Sequence, residues 1–162
     1  MTHNVSPEAL DIIRRMQQSE LDESVIYKNI ASFAKGKENR RTLMRLAKEE
    51  LAHCQIWKKY TGEELQPNKR KVLFYTLIAR IFGFTFAVKL MERGEERAQE
   101  EYELLAREVP ESAEIRAQEE EHEHALLGML DEERLQYVGS MVLGLNDESR
   151  AQILALAKEL SA

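Results

Sequence analysis

Two short stretches decide how this chain is read: Glu50-Leu51-Ala52-His53 and Glu119-Glu120-Glu121-His122. An α-helix turns about 100° per residue, so the Glu and His of each set share a helix face. In both segments that face also carries the periodic apolar residues. A carboxylate beside an imidazole in a core is costly to bury unless something binds the pair. Two such pairs, joined by single inward glutamates on two further helices, make up the ligand set of a di-metal carboxylate site inside a four-helix bundle.

The two further glutamates are found by reading outward. A first helix is expected from Ser6 to about Ala34, capped by Ser6 with Pro7 in its first turn. Its apolar stripe is Ile13, Met16, Tyr27, Ile30, Ala31 and Ala34, with Glu20 near the centre and Glu23 on the edge. The second helix, Asn39 to Tyr60, turns Leu43, Leu46, Ala47, Cys54 and Trp57 inward around Glu50 and His53, and Thr61-Gly62 closes it. A helical pattern from Lys69 to Arg107 has a break or kink at Gly83, with Glu95 central and Glu92 nearer the edge of its stripe. The fourth helix is expected over Ala113 to Leu130. An apolar stretch, Tyr137 to Leu145, and a short amphipathic helix ending near Leu160 follow it.

Residues 61–83 can serve as the long crossover that a ferritin-like bundle needs between its second and third helices. The alternative is one unbroken helix over 69–107, which favours an intertwined dimer. Each half also pairs a glutamate with a tyrosine seven residues on, Glu20 with Tyr27 and Glu95 with Tyr102. The pattern is that of a duplicated helical hairpin, and the two tyrosine hydroxyls are candidates to face the carboxylates. Two domains' worth of sequence is not needed: residues 1–130 form the bundle and 131–162 a C-terminal extension.

The fourth helix offers two overlapping matches, Glu119 with His122 and Glu121 with His124. Ile115, Leu126, Met129 and Leu130 cluster on the side that Glu119 and His122 occupy, whereas Glu121 and His124 project to the opposite side. His122 is therefore assigned to the core and His124 to solvent. Glutamate occurs 25 times in 162 residues, so a single Glu-x-x-His arises easily by chance. The weight rests on four stripes that each centre a glutamate.

Composition agrees with an all-α chain: 43% hydrophobic, 32% charged, seven glycines and three prolines. A net charge of -6 without a basic patch argues against nucleic acid as a partner. The lone Cys54 permits no intrachain disulfide, and Met1 to Pro7 lacks a signal-peptide core; a cytoplasmic location is expected. Val72 to Val88 approaches the length of a membrane span, but Arg80 near its centre favours a buried or dimer-facing helix. Phe82, Phe84 and Phe86 encircle that helix, which points to a homodimer.

Carboxylate and imidazole donors suit iron, with manganese as the alternative, and the absence of thiolate disfavours soft-metal chemistry. Each of two ions takes one terminal glutamate, Glu20 or Glu95, and one histidine, His53 or His122, while Glu50 and Glu119 bridge. Glu23 and Glu92 are additional candidate ligands. Facing open positions would admit dioxygen or hydrogen peroxide. Three functions follow: oxidation of ferrous iron, a non-catalytic iron-binding or iron-sensing module, and a helical interaction protein whose glutamates form a buried polar network.

Taken together, Glu20 with Tyr27, Glu50-x-x-His53, Gly94-Glu95 and Glu119-x-x-His122 resemble the rubrerythrin branch of the ferritin-like superfamily. The chain is more closely similar to the ferritin-like domain that precedes membrane iron transporters of the vacuolar iron transporter type. Ile26-Tyr27-Lys28, Ile56-Trp57-Lys58-Lys59-Tyr60-Thr61-Gly62, Ile78-Ala79-Arg80-Ile81-Phe82-Gly83 and Leu90-Met91-Glu92-Arg93-Gly94-Glu95 carry that likeness. So does Asp131 to Leu135 with Tyr137 to Asp147, the run that in such proteins leads into a membrane helix. The resemblance implies a di-iron four-helix bundle. It carries over no transport, because a soluble helix is expected after Asp147. Nor does it carry over an internal electron relay, because the rubredoxin-type cysteines of rubrerythrins are missing. Ala98 stands where rubrerythrins have a further glutamate.

Overall fold

The computed structural model describes residues 5–92, 101–102 and 104–129, and the described residues are helical with no strand. Glu95 and the extension 131–162 lie outside them, as does the side chain of Glu92. Helix α1 spans Pro7–Phe33 and α2 spans Lys37–Thr61. They are followed by α3 (Lys69–Phe82), α4 (Phe84–Glu92) and α5 (Ser112–Leu127).

Local chemistry sets these limits. The Ser6 side chain accepts the Ala9 amide at 3.2 Å, and Pro7 occupies the first turn of α1. The same serine reaches Glu108 through both its amide and its hydroxyl, at 2.6 and 2.8 Å, tying the start of α1 to the segment before α5. α2 stops at Gly62, which takes the left-handed conformation (φ 68°) and returns its amide to the Lys58 carbonyl. Asn68 caps α3 through its side chain. Gly83, at φ 94° and ψ 159°, separates α3 from α4 in a backbone region that essentially only glycine occupies. The pattern over 69–92 is thus two helices.

A three-residue link makes α1 and α2 antiparallel neighbours. Trp57 accordingly reaches Glu20, and Thr61 reaches Gln17. From Gly62 the chain then returns along α1 in α1's own direction. Gln17 and Gln18 donate to the carbonyls of Glu63 and Gln66, Asp22 accepts the Asn68 amide at 2.7 Å, and Asn29 donates to Thr76 on α3. Asp22 and Gln17 are consequently buried, although neither belongs to the apolar stripe. α5 lies antiparallel to α2, with Glu111 at the level of Tyr60 and Glu121 at the level of Arg45.

The apolar interior falls into two clusters. One gathers Ile13, Met16, Trp57, Tyr102, Leu105 and Ile115. The other gathers Ile26, Tyr27, Ile30, Leu43, Leu46, Val88 and Leu126. On α1, α2 and α5 alike, the residues between the two clusters are the motif residues. No helix among the described residues is long and apolar enough to cross a membrane.

A Cβ added at Gly62 would meet nothing within 4 Å, so its substitution tests the backbone alone. Gly62→Ala is expected to lower stability by about 1 kcal/mol through the left-handed conformation. Urea unfolding should show a lower midpoint with an unchanged slope.

Candidate metal centre

Glu20 on α1, Glu50 and His53 on α2, and His122 on α5 are buried; Glu119 is half-buried. The assignment made from helical periodicity holds: His122 is 3% exposed, while His124 and Glu121 face solvent. Glu121 pairs there with Arg45.

His53 Nδ1 is the point on which the carboxylates converge. It lies 2.7 Å from Glu119 Oε1, 3.5 Å from Glu20 Oε2 and 3.7 Å from Glu50 Oε2. His122 Nδ1 lies 3.1 Å from Glu50 Oε1 and 3.7 Å from Glu119 Oε2. Glu50 and Glu119 therefore each turn one oxygen toward one imidazole and the other oxygen toward the second. The two rings stack with centroids 5.6 Å apart.

Glu20, Glu50, His53 and Glu119 form a group that can hold a metal ion, with one donor atom from each lying within 4.8 Å of the others. Donors on opposite sides of an ion bound at about 2.1 Å stand about 4 Å apart, so this spacing fits. Hydrogen bonding supports the same reading. Glu50 Oε2, His53 Nδ1 and Glu119 Oε1 are buried and have no hydrogen-bond partner among the described residues. Even the 2.7 Å approach of His53 to Glu119 lacks the alignment of a hydrogen bond. Three buried polar atoms aimed at a common space have the disposition of ligands.

Other residues support the ring. Trp57 donates its indole N–H to Glu20 Oε1 at 3.3 Å and packs against the Tyr102 ring. His53 Nε2 meets Gln118 Oε1 at 2.7 Å, and His122 Nε2 meets Glu49 Oε2 at 2.9 Å. The sequence reading missed both of these partners. Tyr27 is buried, and Glu23 accepts the Ser19 hydroxyl at 2.8 Å. A small cleft bordered by Glu23, Tyr27, Met91, Glu123 and Leu126 leads to Glu119 and His122. Cys54 is buried, and burial pushes its thiol upward.

No family model, curated protein or solved structure matches this chain. The reading of the centre therefore rests on its own chemistry.

Burial, then the Glu119 and Glu50 carboxylates, push Glu20 well above the usual carboxylate range. Burial acts upward on Glu50 too, but contacts with Glu20, His122 and His53 outweigh it and hold Glu50 at about 2. For both histidines burial opposes the charge and is overcome by carboxylates. His53 is raised by Glu119, Glu20 and Glu50, and His122 is raised to about 10 by Glu119 and Glu50. Burial and the same carboxylates raise Tyr102, keeping its hydroxyl protonated. In the metal-free protein, imidazolium thus supplies the positive charge that the carboxylates need.

Two outcomes follow. His122→Ala should abolish or sharply reduce divalent-metal binding in equilibrium dialysis, whereas His124→Ala should leave it intact. The reverse result would undo the assignment of faces. Second, the folded value of His122 lies above its ordinary 6.5. Its charged form therefore stabilises the metal-free protein fully below that pH, and the contribution is lost as pH rises through about 10. Urea midpoints of chelator-treated protein should fall over that window. With metal present, binding releases protons and its affinity should instead rise with pH.

Proposed function

We propose that the protein is a di-iron carboxylate protein that binds ferrous iron and oxidises it with dioxygen or hydrogen peroxide. The observation that carries this reading is the split presentation of Glu50 and Glu119, one oxygen toward each imidazole. That is the disposition of two bridging carboxylates between two cations. Glu20 would complete the position served by His53; Glu95, which lies outside the described residues, is the remaining terminal glutamate that the sequence offers. Glu23 borders the cleft leading to the second position, where it would serve as an additional carboxylate.

The donor chemistry supports iron, with manganese as the other fitting ion. The helical path also agrees with a ferritin-like bundle, in which residues 62–82 would be the crossover between the second and third helices. Two ferrous ions lose one electron each. Dioxygen with two protons leaves as hydrogen peroxide, or hydrogen peroxide with two protons leaves as two waters. The substrate itself supplies the electrons, so no cysteine-bound relay is required. The chain's residues would hold two ions between the two apolar clusters, with the cleft beside Glu119 and His122 as the way in.

One observation favours a second reading, a non-catalytic iron-binding or iron-sensing module. His53 lies 2.7 Å from Glu119 and His122 lies 3.1 Å from Glu50, so ion pairs within the group would keep it assembled when no ion is bound and let iron act as a signal.

Anaerobic titration with ferrous iron should saturate at two ions per chain; saturation at none or one would sink the dinuclear reading. Addition of dioxygen or peroxide to the loaded protein should then oxidise iron far faster than in buffer. Glu50→Gln, which keeps the shape of the side chain, should remove most of that acceleration. Tight binding of two ions without acceleration would select the sensing module.

A further inference from the structure

The two histidines are not supported alike. His122 Nε2 sits 2.9 Å from a carboxylate oxygen of Glu49. That carboxylate is in turn held by Arg45 Nη1 at 3.0 and 3.3 Å, and Arg45 also pairs with Glu121. His53 Nε2 sits 2.7 Å from Gln118, a neutral carboxamide. The two supporting residues occupy matching places, one residue before the motif glutamate, each on the helix opposite to the histidine it meets. Position and geometry are shared, and the charge differs.

The difference has a direct chemical consequence. An imidazole that binds a cation through Nδ1 carries its proton on Nε2. A carboxylate accepting that proton's hydrogen bond draws it away from the ring and makes Nδ1 a stronger donor. A carboxamide oxygen fixes the same tautomer and ring orientation but withdraws the proton less. The His53 side is weakened at a second point, since the Trp57 indole N–H occupies one oxygen of Glu20.

We propose that Glu49 and Gln118 are positioning residues that make the two metal positions unequal. Glu49 raises the affinity of the position served by His122 through that imidazole, and Gln118 does so less for the position served by His53. This rests on the dinuclear reading above.

The test is a titration of the metal-free protein with cobalt(II), followed by calorimetry and by visible absorption. In the unsubstituted chain two ions should bind in separable steps. His122→Ala and His53→Ala should each remove a different step. Glu49→Gln, which preserves the hydrogen bond and removes the charge, should weaken the step lost in His122→Ala by roughly 10- to 100-fold. Gln118→Glu should tighten the step lost in His53→Ala. Proton NMR of the cobalt-loaded protein should show two shifted, exchangeable imidazole N–H signals, with only the one lost in His122→Ala moving in Glu49→Gln. A purely structural role for Glu49 would not produce that selectivity. Steps unmoved by Glu49→Gln, or a shift in the step lost in His53→Ala instead, would each overturn the proposal while leaving two bound ions. Failure to bind cobalt(II) and ferrous iron alike would overturn the dinuclear reading itself.

Discussion

The structure depends on one constraint: a layer of carboxylates and imidazoles buried between two apolar clusters. Glu20, Glu50, His53 and His122 are all nearly inaccessible. Each would destabilise the fold if left alone, because burial of an uncompensated charge costs several kcal/mol. They are tolerated because they compensate one another. The compensation requires α1, α2 and α5 to bring these positions to the same height. The register of the helices is therefore set by polar atoms, while the apolar clusters on either side supply the driving force for packing.

The compensation is incomplete, and that is where function enters. Proteins rarely bury polar atoms without hydrogen-bond partners. Here, among the described residues, three such atoms belong to the same small group. The protonated histidines balance charge, but they do not satisfy the directions in which the carboxylate oxygens point. A divalent cation satisfies both requirements at once. It brings charge without demanding a hydrogen-bond angle, and it accepts several donors around one centre.

Much of this was legible in the sequence because helical periodicity is a strong signal. Ser6, Gly62 and Gly83 mark element limits through known backbone chemistry, and the structure places limits there. His122 could be told from His124 because an apolar stripe has only one direction. The supporting contacts were not legible. Glu49 and Gln118 lie on the flank of their stripes, where a polar residue reads as solvent-facing, and only the approach of the opposite helix gives them a partner. Trp57 was read as apolar core, and its N–H contact with Glu20 depends on the antiparallel docking of α1. The burial of Gln17 and Asp22 likewise follows from the path of residues 62–68. Helical periodicity shows which way a residue faces, and it is silent about what arrives there.

The crossed support of the histidines has a consequence for assembly. α1 and α2 form a local hairpin through a short link, but the partner of His53 lies 65 residues away and that of His122 lies 73 away. Contacts of such long separation carry a large loop-closure cost and form after local ones. Neither helical half can orient its own histidine. A chain that has folded only its first hairpin therefore has Glu20, Glu50 and His53 without Glu119. The group that can hold a metal ion is complete only in molecules whose distant halves have docked.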